Sequence, residues 1–189
     1  MSPKQSRGRA EAFPELIRLY GEKAYNFAFR LAGNEPDARD LTSEAFARAF
    51  EHFSSYDPSK PFDSWLLRIL RNIYLDGVRL YSHGHSVSLD AAAPVEGSSW
   101  EEILPGDDPE LGSGIERKQT DELVQKALDA LPVHYKTAVT LCDVEGLSYE
   151  QIGEIMACPV GTVRSRIHEG RKIMKETFEK LEKSGGRAQ

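Results

Sequence analysis

Cysteine is scarce in this chain of 189 residues, and no long hydrophobic run interrupts it. Its two cysteines, Cys142 and Cys158, are too few for a disulfide framework and lack the spacing of a zinc site. No apolar stretch approaches the roughly 20 residues that a membrane-spanning helix needs. The basic N-terminus has no apolar core of the kind found in signal peptides, so we expect a cytoplasmic protein.

Recognisable catalytic and cofactor motifs are also missing from the sequence. It contains no P-loop, no glycine-rich dinucleotide motif and no pattern typical of a catalytic triad. His83 and His85 form an H-x-H without further ligands nearby, and we interpret them as solvated polar residues. We therefore predict a protein that is not an enzyme and that needs no metal or cofactor.

Negative charge is concentrated in the middle of the chain. The formal net charge is -6, and residues 81–120 carry the whole excess, with two basic and eight acidic side chains. Residues 164–187 are locally basic, with eight basic and four acidic side chains. Neither end has the strong positive charge that drives tight autonomous DNA binding through counterion release. A DNA-binding protein with this distribution is expected to work with a large partner.

The first part of the sequence repeats apolar side chains at helical spacing. A first helix is expected to end at Gly33, and a second to begin with Asn34 as its cap. The third is expected to run from about Phe62 to Tyr81, after a loop at 54–61 that is rich in turn-forming residues. We predict a helical domain over residues 10–82.

A change of composition follows this domain. Glycine, serine, proline and acidic residues dominate residues 83–118, which we predict to be a flexible linker. Its few apolar residues, Trp100, Ile103 and Leu104, are candidates for docking on a partner. Helical periodicity resumes at residue 119 and indicates a second small domain over residues 119–183. No strand-like alternation is convincing, so the predicted fold is all-α.

The second domain contains a helix-turn-helix pattern. Ser148 is placed to cap one helix, and Gln151, three positions later, completes a capping box. Pro159 and Gly161 are expected to break the chain between the two helices. The next helix opens with short polar and guanidinium side chains, which are suited to the DNA major groove.

Both helical blocks resemble the extracytoplasmic-function (ECF) group of bacterial RNA polymerase sigma factors. Residues Asp37–Phe50 are similar to the family pattern D-A-x-D-L-x-Q-E-x-F-x-R-A-F, with Ser43 in place of the usual glutamine. Residues Phe62–Asp76 are similar to F-x-x-W-L-x-R-I-x-R-N-x-x-x-D, and Gly146–Arg166 to G-L-S-Y-x-E-I-A…P-x-G-T-V-x-S-R. The combination keeps the order and spacing of the family and is far more specific than a lone helix-turn-helix.

The resemblance implies an architecture and a set of partners. A bundle like sigma region 2 would dock on the β′ clamp of core RNA polymerase and read the minus-ten promoter element as single-stranded DNA. A helix-turn-helix domain like sigma region 4 would contact the β flap and read the minus-thirty-five element as duplex. The flexible acidic linker would pass between them toward the RNA exit channel. An anti-sigma factor is the expected regulatory partner, and the protein itself would do no covalent chemistry.

Three sets of site residues follow from the same resemblance. Core-polymerase binding is expected at Asp40, Leu41, Glu44 and Arg48. Recognition of minus-ten DNA is expected at Tyr56, Asp57, Lys60, Trp65, Arg68, Arg71, Asn72 and Arg79. Recognition of minus-thirty-five DNA is expected at Thr162, Arg164, Ser165, Arg166, His168, Glu169 and Arg171.

Several of these residues also have a plain structural interpretation. Asp40 and Glu44 share a helix face that could simply be solvated, and Trp65 is as well suited to the core as to a DNA wedge. Arg164 and Arg166 are the best base readers, because a guanidinium fork matches guanine O6 and N7. Glu169 stands where the family is usually more basic, which favours a shifted minus-thirty-five sequence.

Two other classes of protein remain open at this point. A stand-alone helix-turn-helix regulator would bind duplex DNA tightly by itself, which the modest positive charge does not favour. A sigma mimic that sequesters an anti-sigma factor would not need DNA-reading residues in both blocks. The order of the motifs favours a sigma factor over both.

Overall fold

The structure is a computed structural model that describes residues 3–82 and 114–185, and their side chains over residues 13–81 and 120–181. The chain divides into an N-terminal unit, Met1–Gly106, and a C-terminal unit, Asp107–Gln189. Every regular element within the described ranges is a helix, which confirms the all-α prediction there. Most of the predicted linker lies outside the described residues, together with His83, His85, Trp100, Ile103 and Leu104.

Three helices build the N-terminal unit: α1 (Pro3–Ala32), α2 (Glu35–Glu51) and α3 (Phe62–Ser82). A single 3-10 turn, Phe53–Ser55, follows α2. Each helix packs against the other two. The largest side chains that are fully buried between them are Phe27, Leu31, Phe46, Leu66, Leu67 and Leu70.

The junction between α1 and α2 forms as local chemistry predicts. Gly33 has a φ of 80°, where a side chain would be strained, and donates its N–H to the Phe29 carbonyl at 2.8 Å. Asn34 then caps α2, because its side-chain oxygen accepts the N–H of Asp37 at 3.0 Å. The two helices are thereby joined by a two-residue corner.

Four helices build the described part of the C-terminal unit: α4 (Gly114–Asp129), α5 (Val133–Val139), α6 (Tyr149–Met156) and α7 (Val160–Gly185). The start of α4 lies within the range predicted as linker, because Glu116 to Gln119 are good helix formers. A π-helical segment, Thr140–Val144, continues α5 and was not predicted.

The helix-turn-helix is made by α6 and α7. Both bonds of the predicted capping box are present: Gln151 N donates to Ser148 Oγ at 3.3 Å, and Ser148 N donates to Gln151 Oε1 at 2.9 Å. The turn itself differs from the prediction, since the left-handed residue is Ala157, with a φ of 50°. Gly161 lies inside α7, and only Pro159 belongs to the break.

Candidate functional site

The start of α7 has a buried side and an exposed polar side. Val163 and Ile167, four residues apart, are buried in the core of the C-terminal unit. Arg164, Ser165 and His168 are exposed on the other side. A helix that is fixed by one face and presents short polar and guanidinium side chains on the other can enter a DNA major groove.

The two arginines predicted to read bases have different surroundings. Arg164 is exposed, whereas Arg166 is half-buried and donates from Nη1 to the Cys158 sulfur at 3.6 Å, within the turn of the motif. Burial lowers the pKa of His134, and the positive charge of Arg166 lowers that pKa further. His134 on α5 is therefore a neighbour of Arg166 that the sequence did not indicate.

Short polar residues complete the first turns of α7. Ser165 donates its hydroxyl to the Thr162 carbonyl at 2.9 Å, and Thr162 is half-buried. Glu169 is also half-buried and lies 3.9 Å from Lys172 Nζ, a loose ion pair on the helix surface. Within residues 162–169, Arg164 and His168 are therefore the exposed side chains of the predicted set with the longest reach.

Arg171, expected among the residues that recognise minus-thirty-five DNA, forms an ion pair within the protein. Its Nε donates to Asp143 Oδ2 at 3.0 Å, and its Nη2 donates to Asp143 Oδ1. The same Nη2 lies 3.7 Å from the Cys142 sulfur. The bond to Asp143 raises the pKa of the Arg171 guanidinium, which stays charged.

A close approach between α5 and α7 explains Gly170. A Cβ atom built on Gly170 would lie 2.6 Å from Val139 Cγ2 and 3.4 Å from Tyr135 Cβ. Separations below about 3 Å are repulsive between carbon atoms. The sequence does not reveal this contact, because Val139 and Tyr135 are distant from Gly170 in the chain.

In the N-terminal unit, the predicted polymerase-docking residues lie along α2. Asp40, Glu44 and Arg48 share one face, and Glu44 Oε1 accepts from Arg48 Nε at 2.6 Å. Leu41 lies at the inner edge of this face, seven residues or nearly two turns before Arg48. It is only 8% exposed and packs in the core, so little of its surface is open to another protein.

The predicted minus-ten loop is held by its own hydrogen bonds. Tyr56 donates its hydroxyl to the Lys60 carbonyl at 2.7 Å, and the Lys60 N–H donates to the Asp57 carbonyl at 3.0 Å. Asp57 Oδ1 accepts from the N–H and the hydroxyl of Ser59, which lowers the pKa of Asp57. Tyr56, Asp57 and Lys60 are thus brought together.

Aromatic rings support this loop from below. The Tyr56 ring lies 5.7 Å from Phe53, 5.4 Å from Phe62 and 5.2 Å from Trp65, measured between centroids. Burial among them raises the pKa of the Tyr56 hydroxyl. Tyr56 and Trp65 are both half-buried, so each has a structural role as well as an accessible edge.

The polar face of α3 carries most of the basic residues that are expected to bind minus-ten DNA. Arg68, Asn72 and Arg79 are exposed on one side, but Arg71 is half-buried and donates to Asn72 Oδ1 at 3.1 Å. An acidic residue, Asp76, lies in the same row and is 3.6 Å from Arg79. The cations expected on this face therefore share it with an acid.

Two family models match the chain in the order of its two units. The model for sigma-70 region 2 matches residues 16–82, and the model for sigma-70 region 4 matches residues 121–174. The ECF RNA polymerase sigma factor SigW of Bacillus subtilis is 30% identical over 175 residues, which cover 93% of both proteins. The chain belongs to the ECF family of RNA polymerase sigma factors.

A second curated relative of this sigma factor is longer. The ECF RNA polymerase sigma factor SigE of Mycolicibacterium smegmatis is 40% identical over 172 residues, which cover 89% of this chain and 62% of the relative. Among solved structures, the sigma factor RpoE of Bartonella quintana, in complex with the anti-sigma factor NepR, has a TM-score of 0.64 at 23% identity. That match covers 89% of this chain and 98% of the other, and it supports the fold.

Within the described ranges of this sigma factor, no helix is long and apolar enough to cross a membrane. The same ranges contain no group of three or more histidine, cysteine or acidic side chains placed to hold a metal ion. Cys142 and Cys158 are both free thiols and half-buried. Burial raises the pKa of Cys142, and the Asp143 carboxylate raises it further.

Proposed function

We propose that the two units divide the work of an alternative sigma factor between them. The N-terminal unit docks on the β′ clamp of core RNA polymerase and reads the minus-ten element. The C-terminal unit reads the minus-thirty-five element and contacts the β flap. The observation that carries this proposal is the helix-turn-helix whose second helix buries Val163 and Ile167 and exposes Arg164, Ser165 and His168.

At the minus-thirty-five element, we assign base reading first to Arg164. Its exposed guanidinium is able to donate two parallel hydrogen bonds to guanine, a contact that discriminates by about 1–3 kcal/mol. His168 lies one turn further along the same face, and Thr162, Ser165 and Glu169 flank it. Arg166 takes a lesser part because it is directed toward Cys158.

At the minus-ten element, the loop of Tyr56, Asp57 and Lys60 receives an unstacked base. A single base needs a planar or apolar platform and polar groups that read its edge. The aromatic rings under the loop provide the platform, and Asp57 is an exposed acceptor next to the exposed Lys60. Arg68, Asn72 and Arg79 on α3 follow the phosphates of the strand, with Arg71 positioning Asn72.

Docking on core polymerase uses the exposed face of α2. Asp40 is exposed, and Glu44 and Arg48 form an ion pair one turn away. Basic residues on the clamp would compete with Arg48 for Glu44, so docking exchanges one exposed ion pair for another. Such exchanges contribute little free energy each, and specificity then comes from the arrangement of several.

Regulation and location follow from the family. An anti-sigma factor is the expected partner, since the Bartonella quintana relative is seen in complex with one. We expect the protein to work in the cytoplasm, where RNA polymerase is found, and to catalyse no reaction itself.

Run-off transcription tests the proposed function. Bacterial core polymerase is supplied with a library of genomic fragments, with and without the protein. New transcripts that share two upstream elements are the expected result. Core binding without promoter opening would favour the sigma mimic, and duplex binding without any core binding would favour the stand-alone regulator.

A further inference from the structure

Two adjacent residues hold the middle of α7 against the rest of the C-terminal unit. At Gly170, α7 and α5 approach so closely that a Cβ atom would lie 2.6 Å from Val139 Cγ2. At Arg171, the guanidinium donates two hydrogen bonds to the Asp143 carboxylate. The exposed face of Arg164, Ser165 and His168 lies directly before this pair.

The bond between Arg171 and Asp143 links α7 to the segment that precedes the helix-turn-helix. Asp143 belongs to the π-helical segment Thr140–Val144, which leads into the Ser148 cap of α6. Arg171 belongs to α7, and 28 residues separate it from Asp143. A two-point guanidinium–carboxylate bond fixes direction as well as distance. It therefore constrains how α7 is oriented relative to the segment before α6.

We propose that Asp143 and Arg171 form an anchor that sets the angle at which α7 meets the minus-thirty-five duplex. Arg171 is then a positioning residue rather than a phosphate contact. A phosphate contact by Arg171 would bring the polyanion next to the Asp143 carboxylate, which repels it. This inference rests on the function proposed above for the exposed face of α7.

The two roles of Arg171 predict opposite effects for Asp143→Asn. If Arg171 binds phosphate, removing the competing carboxylate frees the guanidinium and strengthens DNA binding. If the pair is an anchor, the same substitution loosens α7 and weakens recognition of the minus-thirty-five sequence. Both side chains are partly exposed, 52% for Arg171 and 36% for Asp143, so overall stability should change little in either case.

The first test measures promoter preference. Holoenzyme made with the full chain is bound to a promoter recovered by the wild type and to the same promoter with a scrambled minus-thirty-five element. We expect Asp143→Asn and Arg171→Gln each to lower the preference about tenfold. The double variant should lose no more than either single variant, because both substitutions break the same pair. Glu176→Gln removes an exposed acid further along α7 and is expected to leave the preference unchanged.

Salt dependence separates the anchor from a phosphate contact. Loss of one phosphate contact reduces the steepness of the negative slope of log K against log salt by about 0.9. The anchor predicts an unchanged slope in Arg171→Gln. Tighter DNA binding by Asp143→Asn would overturn the anchor. A less steep dependence of log K on log salt in Arg171→Gln would also overturn it.

Amide exchange in the free protein tests the anchor independently of DNA. We expect faster exchange over residues 160–169 in both single variants and not in Glu176→Gln, with unchanged exchange in the N-terminal unit. Unchanged exchange over residues 160–169 would overturn the anchor even if promoters are found. Absence of promoters with the wild type, together with faster exchange in the variants, would instead refute the function proposed for α7.

Discussion

The two candidate DNA-contacting surfaces are built in different ways. In the N-terminal unit, a short loop is shaped by its own hydrogen bonds, from Tyr56 to the Lys60 carbonyl and from Ser59 to Asp57. In the C-terminal unit, the contacting element is a regular helix, and what needs to be fixed is its orientation. Gly170 and Arg171 fix the orientation of α7, through contacts with α5 and with Asp143.

The difference matches the DNA that each surface is proposed to read. A single unpaired base has no groove to guide it, so the protein needs a shaped platform of rings and a closed loop. A duplex presents a groove of fixed width, so a helix at the correct angle is sufficient. The shape of the N-terminal loop is therefore fixed by contacts between near neighbours in the chain. The orientation of α7 in the C-terminal unit is fixed by contacts between residues that are distant in the chain. Four substitutions test this contrast.

The largest effect is expected when the platform under the loop is removed. Phe62 is buried and packs against Tyr20, Phe53, Tyr56 and Trp65. We expect Phe62→Ala to lower the free energy of unfolding of the N-terminal unit by about 3–5 kcal/mol, because it leaves a cavity. Amide exchange over residues 53–70 measures this. Leu80→Ala, at a residue 45% exposed, is the control and should change stability by less than about 0.5 kcal/mol.

The close approach of α5 and α7 is tested by Gly170→Ala. Overpacking against the stiff Val139 side chain costs about 1–3 kcal/mol, and the better helix propensity of alanine offsets up to about 1 kcal/mol. We expect a net destabilisation of the C-terminal unit, which urea unfolding measures. Gly161→Ala has no atom within 4 Å of the new Cβ and should be neutral or stabilising. The same sign for both variants would contradict the packing explanation.

The entry into α6 is tested by Ser148→Ala. This variant removes the acceptor of the Gln151 N–H and half of the capping box. We expect a loss of about 1 kcal/mol, seen as faster amide exchange over residues 149–156. Ser54→Ala, at an exposed serine that caps no helix, is the comparison. If the two serine variants behave alike, the cap has no role in orienting the motif.

The smallest stability effect is expected for Tyr56→Phe, which keeps the ring and removes the hydroxyl that closes the loop. The bond to the Lys60 carbonyl is exposed, so we expect a loss of at most about 1 kcal/mol. Preference at the minus-ten element should nevertheless fall, because only the backbone bond from Lys60 to Asp57 then closes the loop. Tyr81→Phe, at a residue 86% exposed, is the control. Unchanged minus-ten preference in Tyr56→Phe would show that loop closure does not matter for reading.

The parts of the fold that the sequence predicts are those that depend on near neighbours. Gly33 and Asn34 mark the corner between α1 and α2, and Ser148 with Gln151 marks the start of α6, because each signal acts within four residues. The π-helical segment Thr140–Val144 has no such signal. An extra residue in a helical turn is stabilised by tertiary packing, which periodicity does not report.

Site residues follow the same rule. The exposure of Ser165 follows from spacing, because it lies nearly opposite the buried Val163 and Ile167 around the helix. The burial of Leu41 does not follow from spacing, which places it on the same side of α2 as Arg48, and depends on how the three helices pack. The partner of Arg171 lies 28 residues away, so no local pattern could reveal it.

Closure of the loop by Tyr56 also has a kinetic consequence. The loop is ordered when the N-terminal unit folds, so its conformational entropy is lost before DNA binds. Capture of a base then requires no rearrangement of the protein, and its rate is set by how often the base leaves the duplex. Differences in speed between promoters would therefore report how easily each sequence opens.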